Sequence, residues 1–213
     1  MHLIHRGIIN KNFRENLLKS FKQSFKKGYG VETDIHATKD NEFICFHDFT
    51  LKRIFKKNLS VKNLDYSKIS EISTKLGKPI PLLKDLLRSS GNKQAVFIEI
   101  KPIFSKFLLK KLLKETSKFT KCIFISFKHE NIFKLLNIKK NTKVGFSFCP
   151  PTSVKKIIKK TNNNKINCLI LDKSYIKNKK IQNLKITKYY YTIRTKSEFR
   201  KFKRDNNLIF ENL

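Results

Sequence analysis

The sequence predicts an α/β protein, a compact (β/α)8 or TIM barrel, and three observations lead there. Short β-branched and aromatic runs alternate with helical patterns along the chain, the signature of repeated βα units on a parallel sheet. The runs that read as barrel strands number eight, at 2–5, 31–37, 95–101, 122–127, 143–148, 168–171, 188–193 and 208–210. With 213 residues and 39% hydrophobic composition, the chain is long enough for one well-buried domain and too short for two comfortable ones, so one domain spanning 1–213 is expected.

Each element follows from its local pattern. The first strand leads to an amphipathic helix at 15–27, and Gly28 and Gly30 punctuate the turn into the strand at 31–37. Only Lys39-Asp40-Asn41 separates that strand from a second extended piece at 42–47. Three residues are too few for a parallel crossover, so a short hairpin-like excursion is expected. Residues 50–92 are less regular and contain the Pro79-Ile80-Pro81 break and a helix at 82–89. Beyond them, strands alternate with helices at 105–119, 130–136, 152–160, 179–184 and 197–203. The helix that would follow the last strand of a barrel is missing.

The chain carries 48 Lys and Arg against 16 Asp and Glu, a formal net charge of +32. Such a field attracts anions of every kind. The lysines are nevertheless scattered and form no arm or tail. Lys, Asn, Ile and Phe abound while Trp is absent, as AT-rich coding would produce. Compositional bias therefore explains most of the charge, with recruitment of an anionic substrate as a secondary effect. Nucleic acid, anionic lipid and phosphorylated metabolites are the anions such a field would draw. No specific nucleic-acid partner is expected, because the phenylalanines recur at core spacings and do not form stacking platforms. Peripheral contact with an anionic membrane stays compatible with the charge. Cys45, Cys122, Cys149 and Cys168 lie far apart without metal-ligand or redox spacing, and buried reduced thiols are expected. With no leader pattern and no apolar run near the roughly 20 residues of a membrane helix, a cytoplasmic location is expected.

Strand side chains alternate faces. Val31, Thr33 and Ile35 share one face of the second strand, and Glu32, Asp34 and His36 the other. The strand at 95–101 repeats the arrangement, with Phe97, Glu99 and Lys101 opposite Val96, Ile98 and Ile100. One strand of alternating charge usually faces solvent. Two of them in a chain this poor in acids point to a site. Carboxylates buried together need neutralising, which a hard divalent cation achieves. His5-Arg6-Gly7 and Phe46-His47-Asp48 end early strands, where barrel enzymes place their catalytic groups. A pair of imidazoles suits acid and base roles near neutral pH, and Arg6 and Lys101 suit a phosphodiester. Gly28-Tyr29-Gly30 lacks a phosphate-loop lysine and only allows a turn. His36 reads as a supporting or rim residue, His2 and His129 as surface residues, and Arg53 as a loop anchor acting through an ion pair.

The pattern resembles the glycerophosphodiester phosphodiesterases. The resemblance rests on His5-Arg6-Gly7, Glu15-Asn16, Gly30-Val31-Glu32-Thr33-Asp34-Ile35, Thr38-Lys39-Asp40, His47-Asp48 with Leu51 and Arg53, Pro81-Leu82, and Glu99-Ile100-Lys101. It is close over 1–102 and loose afterwards. Tyr191-Thr192-Ile193-Arg194 is similar to a Trp-Thr-Val-Asn stretch, and residues 209–213 to the family's last strand. The resemblance implies a single catalytic barrel domain in which Glu32, Asp34 and Glu99 hold Mg²⁺ or Ca²⁺. It implies His5 and His47 as the acid/base pair and Arg6 and Lys101 on the phosphate. It further implies a small-molecule phosphodiester as substrate and partner, hydrolysed to glycerol 3-phosphate and an alcohol through a cyclic phosphate. Two other readings accompany it. One is the same barrel acting on a lysophospholipid or a glycerophosphate-decorated glycan. The other is a non-catalytic basic protein that binds nucleic acid or anionic membrane.

Overall fold

The computed structural model of the protein describes residues 1–11 and 13–211. Eight parallel strands form a closed barrel: β1 (Leu3–His5), β2 (Gly30–Ala37), β4 (Val96–Ile100), β5 (Cys122–Ser126), β6 (Val144–Phe148), β7 (Cys168–Asp172), β8 (Thr187–Ile193) and β9 (Asn207–Phe210). The short β1 closes the ring by pairing with β2 on one side and β9 on the other. β3 (Phe43–Cys45) runs antiparallel against the end of β2, as the three-residue connection requires. Helices α1 (Leu18–Lys26), α4 (Leu83–Ser90), α5 (Lys106–Thr116), α6 (His129–Ile138), α7 (Val154–Asn162), α8 (Lys179–Gln182) and α9 (Lys196–Phe202) connect the strands. The strand and helix order matches the sequence reading, and local chemistry sets the ends. Ser105 and Ser153, for example, accept from the amides of Leu108 and Lys156 and so start α5 and α7.

Residues 50–92 are more regular than the sequence suggested. They contain α2 (Lys52–Phe55) and α3 (Tyr66–Lys75). α3 was hidden because its serines and threonine favour helix poorly and only Tyr66, Ile69 and Ile72 mark an apolar face. Tertiary packing decides instead: Ile69 is buried with Ile44, Phe46, Leu51 and Phe55 in a satellite cluster under this excursion. The main core lies between sheet and helices, and a second cluster fills the barrel interior. Leu3, Phe97, Ile125, Cys168, Ile170, Tyr189 and Ile209 form that interior plug, with Phe97 and Tyr189 rings 4.7 Å apart. The plug closes the barrel below, so polar groups one step further along the strands face only the mouth.

The last two residues of the expected strand at 209–213 lie outside the described residues, and no helix follows β9 among those described. A groove of about 860 Å³ runs there, between Ile4 and Phe210 on the barrel and Phe199 on α9. No described helix is long and apolar enough to cross a membrane.

Three side-chain expectations need correction. Cys149 is exposed, because it lies just past β6 in the mouth loops, whereas Cys45, Cys122 and Cys168 are buried free thiols. His2 is partly buried, its ring edge-on to Phe199 at 5.2 Å. His129 is also partly buried: it stacks on Phe146 at 4.2 Å, bonds the Ser147 carbonyl, and accepts from Lys160. Burial lowers His129 to about 4, so the ring is neutral and can accept that bond.

Candidate active site

The mouth is assembled from strand ends that the register brings level. Val31, Thr33 and Ile35 turn outward into core, which leaves Glu32 and Asp34 facing inward, and Asp34 pairs in register with Glu99 of β4. The three carboxylates each place one oxygen within 4.8 Å of the others, and all three residues are buried. Lys101 lies 2.8 Å from Glu99 and 3.3 Å from Asp34.

Arg6 arrives by an unusual turn. Its φ is +57°, that of Gly7 is +77°, and its amide donates to the Glu32 carbonyl while its carbonyl accepts from the Asn16 amide. Left-handed geometry at a non-glycine residue costs about 1–3 kcal/mol and needs support from its surroundings. A side chain at position 7 would meet Ser20 Cβ at 2.9 Å, so glycine is required there on two counts. The turn swings Arg6 over the cluster, with Nε 2.9 Å from Asp34 Oδ2 but misaligned for a hydrogen bond.

Three acids face two fixed cations, and the balance shows in their titration. Burial, then the charges of Asp34 and Glu99, push Glu32 well above the ordinary carboxylate range. Burial, then Asp34, lifts Glu99 to about 7. Burial would also raise Asp34, yet Arg6 and Lys101 together outweigh it and hold that carboxyl below its usual value. Glu32 Oε2 and Asp34 Oδ2 are buried and lack a hydrogen-bond partner. Orphaned carboxylate oxygens in an all-oxygen donor set fit a hard divalent cation.

Two histidines stand at this cluster. His5 Nε2 is 3.8 Å from Glu32 Oε2, and its Nδ1 lies 3.0 Å from Glu211 Oε2. His47 Nδ1 lies 2.7 Å from Asp48 Oδ1, and burial lowers its pKa against the pull of Asp34. Arg53 clamps Asp48 from Nε at 2.6 Å and bonds Glu15 as well, so the expected loop anchor is present with its partners named. His36 is buried beside them and bonds the His47 carbonyl at 3.1 Å, and burial lowers it to about 4. That bond supports the loop.

His5, Arg6, Glu32, His47, Glu99 and Lys101 line one cavity of about 240 Å³, roofed by Phe127, Tyr191 and Arg194. Asp34 lies beneath its wall, against Arg6 and Lys101. All seven site residues nominated from the sequence thus meet at the mouth. Glu211 was missed, because nothing near it in the chain marks it. Asp48 and Glu15 were noticed only as parts of motifs. Arg194 is held by Glu211 Oε1 at 2.5 Å.

A family profile described as glycerophosphoryl diester phosphodiesterase matches residues 5–206. A glycerophosphodiester phosphodiesterase of Caldanaerobacter subterraneus is 27% identical over 160 residues, 68% of this chain and 65% of the relative. Human lysophospholipase D GDPD1 is 30% identical over 134 residues, 56% of this chain and 42% of the relative. The matched stretches thus span less than two thirds of either relative's length. Among solved structures, a glycerophosphodiester phosphodiesterase from Thermotoga maritima superposes with a TM-score of 0.81 at 22% identity, covering 98% of this chain and 92% of that one. A phosphodiesterase from Oleispira antarctica, solved with its product sn-glycerol-3-phosphate, gives 0.82 at 15% identity, covering 98% and 91%. At these identities the likeness is one of fold.

Proposed function

The chain belongs to the glycerophosphoryl diester phosphodiesterase family, and from that premise we propose that it hydrolyses a glycerophosphodiester to glycerol 3-phosphate and an alcohol. The observation that carries this reading is the convergence of Glu32, Asp34 and Glu99 within 4.8 Å, at a cavity that His5 and His47 both line. In this reading Glu32, Asp34 and Glu99 hold Mg²⁺ or Ca²⁺. When bound, the cation supplies Lewis-acid polarisation of the phosphoryl group and neutralises the acids. Arg6 and Lys101 bring fixed positive charge to the phosphate, where negative charge grows in the transition state. One imidazole removes the proton of the glycerol 2-hydroxyl as its oxygen attacks phosphorus. The other imidazole protonates the alcohol oxygen as the ester bond to it breaks. Water then opens the cyclic phosphate with the two roles exchanged. The interior plug lies below the acids, so substrate would approach them from the mouth.

Purified protein with added Mg²⁺ or Ca²⁺ should release glycerol phosphate from glycerophosphocholine, and EDTA should stop it. Absence of turnover on a panel of small diesters, with turnover on lysophospholipid, would move the reading to the lipid substrate. That second reading is favoured by the human relative named as a lysophospholipase D and by the exposed Phe49 and Ile103, on loops that follow strands at the mouth, with exposed Phe107 in the first turn of α5. Turnover of neither, with steeply salt-dependent binding of DNA, would leave the basic binding protein.

A further inference from the structure

We propose that Glu211, clamped by Arg194, is the positioning residue of His5, and that it fixes which ring nitrogen faces the substrate. The inference rests on the acid/base reading of His5. Imidazole has two distinct nitrogens, and a neutral ring can donate from only one of them. At His5 the outer nitrogen, Nδ1, lies 3.0 Å from Glu211 Oε2, and a carboxylate only accepts. In the neutral ring an ionised Glu211 thus places the proton on Nδ1 and leaves Nε2 facing inward, 3.8 Å from Glu32.

The backbone shows that this contact is built in. β1 and β9 pair with Leu3 opposite Ile209 and Ile4 opposite Phe210, so the next step brings Glu211 level with His5. Ile209 belongs to the interior plug, and with a period of two Glu211 faces inward like it. The Glu211 amide donates to the Ile193 carbonyl at 3.0 Å, which ties the residue to β8 as well. Its other carboxylate oxygen accepts from Arg194 Nε, so the carboxylate is held at both oxygens. His47 carries the same arrangement, with Asp48 on Nδ1 and Arg53 on Asp48. Two independent copies of one device, one on each histidine, point to orientation of the rings. A chance ion pair at the chain's last strand would not reproduce it. The device also gives Arg194 a role where the family resemblance placed Asn: it anchors Glu211.

The test uses the full chain and two readouts. Long-range ¹H–¹⁵N spectra of histidine-labelled protein, with the His5 signals assigned by their loss in His5→Ala, should show the Nδ1–H form in the native protein. Glu211→Gln should redistribute His5 toward the other tautomer and leave His47 unchanged. On glycerophosphocholine with Mg²⁺, Glu211→Gln should lower kcat about 10- to 100-fold, the usual cost of losing a carboxylate that orients a histidine, with KM nearly unchanged. Arg194→Ala should lower kcat less, and serves as the second variant should Glu211→Gln fold poorly. In a His5→Ala background Glu211→Gln should cost nothing further, because its effect passes through His5. An unchanged His5 tautomer in folded Glu211→Gln protein overturns the proposal, as does a kcat loss that persists undiminished without His5. Should the native chain turn over no diester, the hydrolase reading falls by itself, and the spectra still decide the positioning claim.

Discussion

The two histidines of the mouth are held alike but built differently. His47, its orienting Asp48 and the Arg53 that clamps it lie within seven consecutive residues. His5 and Glu211 are separated by 206 positions, and Arg194 comes from a third stretch of chain. The first arm is a property of one loop, steadied by His36 and the excursion below it. The second exists only once β9 has closed on β1. Their exposure differs too: the His47 side chain is 34% exposed and the His5 side chain 15%. A local arm depends on its own loop and stays accessible to solvent, whereas a closure-dependent arm is deeper and reports on the integrity of the whole barrel.

The largest expected effect treats the arms as equal. His5→Ala and His47→Ala should each lower kcat by about 10²–10⁴-fold, the usual range for acid or base groups, with the fold retained. Glycerol phosphate release measures it. A variant that kept near-normal rates would remove its histidine from the chemistry and end the symmetry between the arms.

Next in size is the cluster that both arms address. Glu99→Gln replaces the carboxylate with a neutral amide that keeps one oxygen, while leaving Asp48 and Glu211 in place. Divalent-cation affinity by calorimetry should fall more than about tenfold, since even residues that merely support a ligand cost that much. Unchanged affinity would take Glu99 out of the cation site.

A smaller effect should separate the arms. Asp48→Asn leaves His47 in a loop that His36 still supports, so kcat should fall only about tenfold. Because the His47 side chain is 34% exposed and the His5 side chain 15%, the His47–Asp48 bond should also weaken more with added salt. The closure-dependent arm should respond less to salt at His5 itself. Comparing kcat of Asp48→Asn and Glu211→Gln across ionic strength checks this, and equal salt slopes would deny the difference in burial any consequence.

The same contrast explains what the sequence made legible. Alternation over Glu32, Asp34 and Phe97, Glu99, Lys101 assigns inward faces because strand periodicity is local, and the register of β2 on β4 only had to bring them level. His5-Arg6-Gly7 was legible as a strand end, although the left-handed turn that places Arg6 was not. Asp48 stood beside His47 in the chain. Glu211 had no local mark: a glutamate among Ile209, Phe210 and the residues after them carries no pattern, and its importance comes from ring closure alone. α3 was missed for the opposite reason, since its residues resist helix and the satellite core overrides them. His129 read as a surface residue because its stacking partner Phe146 lies 17 positions on, in β6, the strand that follows its helix.

The smallest expected effect is on stability, and its sign follows from the Glu211 carboxyl. Bonds from His5 and Arg194 hold it at about 2, below its ordinary 4.5. A carboxyl depressed in the folded chain stabilises the fold fully above the unfolded value, and that stabilisation is lost as pH falls through the folded one. The window therefore runs from 4.5 down to about 2. Its upper bound is about 3 kcal/mol, and the realised value is smaller because Arg194 is 68% exposed and screened by solvent. Buried His36 and His129, both lowered to about 4, also cost stability as pH falls from 6.5, but they do so in the native chain and the variant alike. The difference in melting temperature between native protein and Glu211→Gln isolates the carboxyl. It should be constant above pH 5 and shrink toward zero as the pH approaches 2. A difference that did not vary with pH would mean that Glu211 contributes shape to the closing strand and no charge to the arm that holds His5.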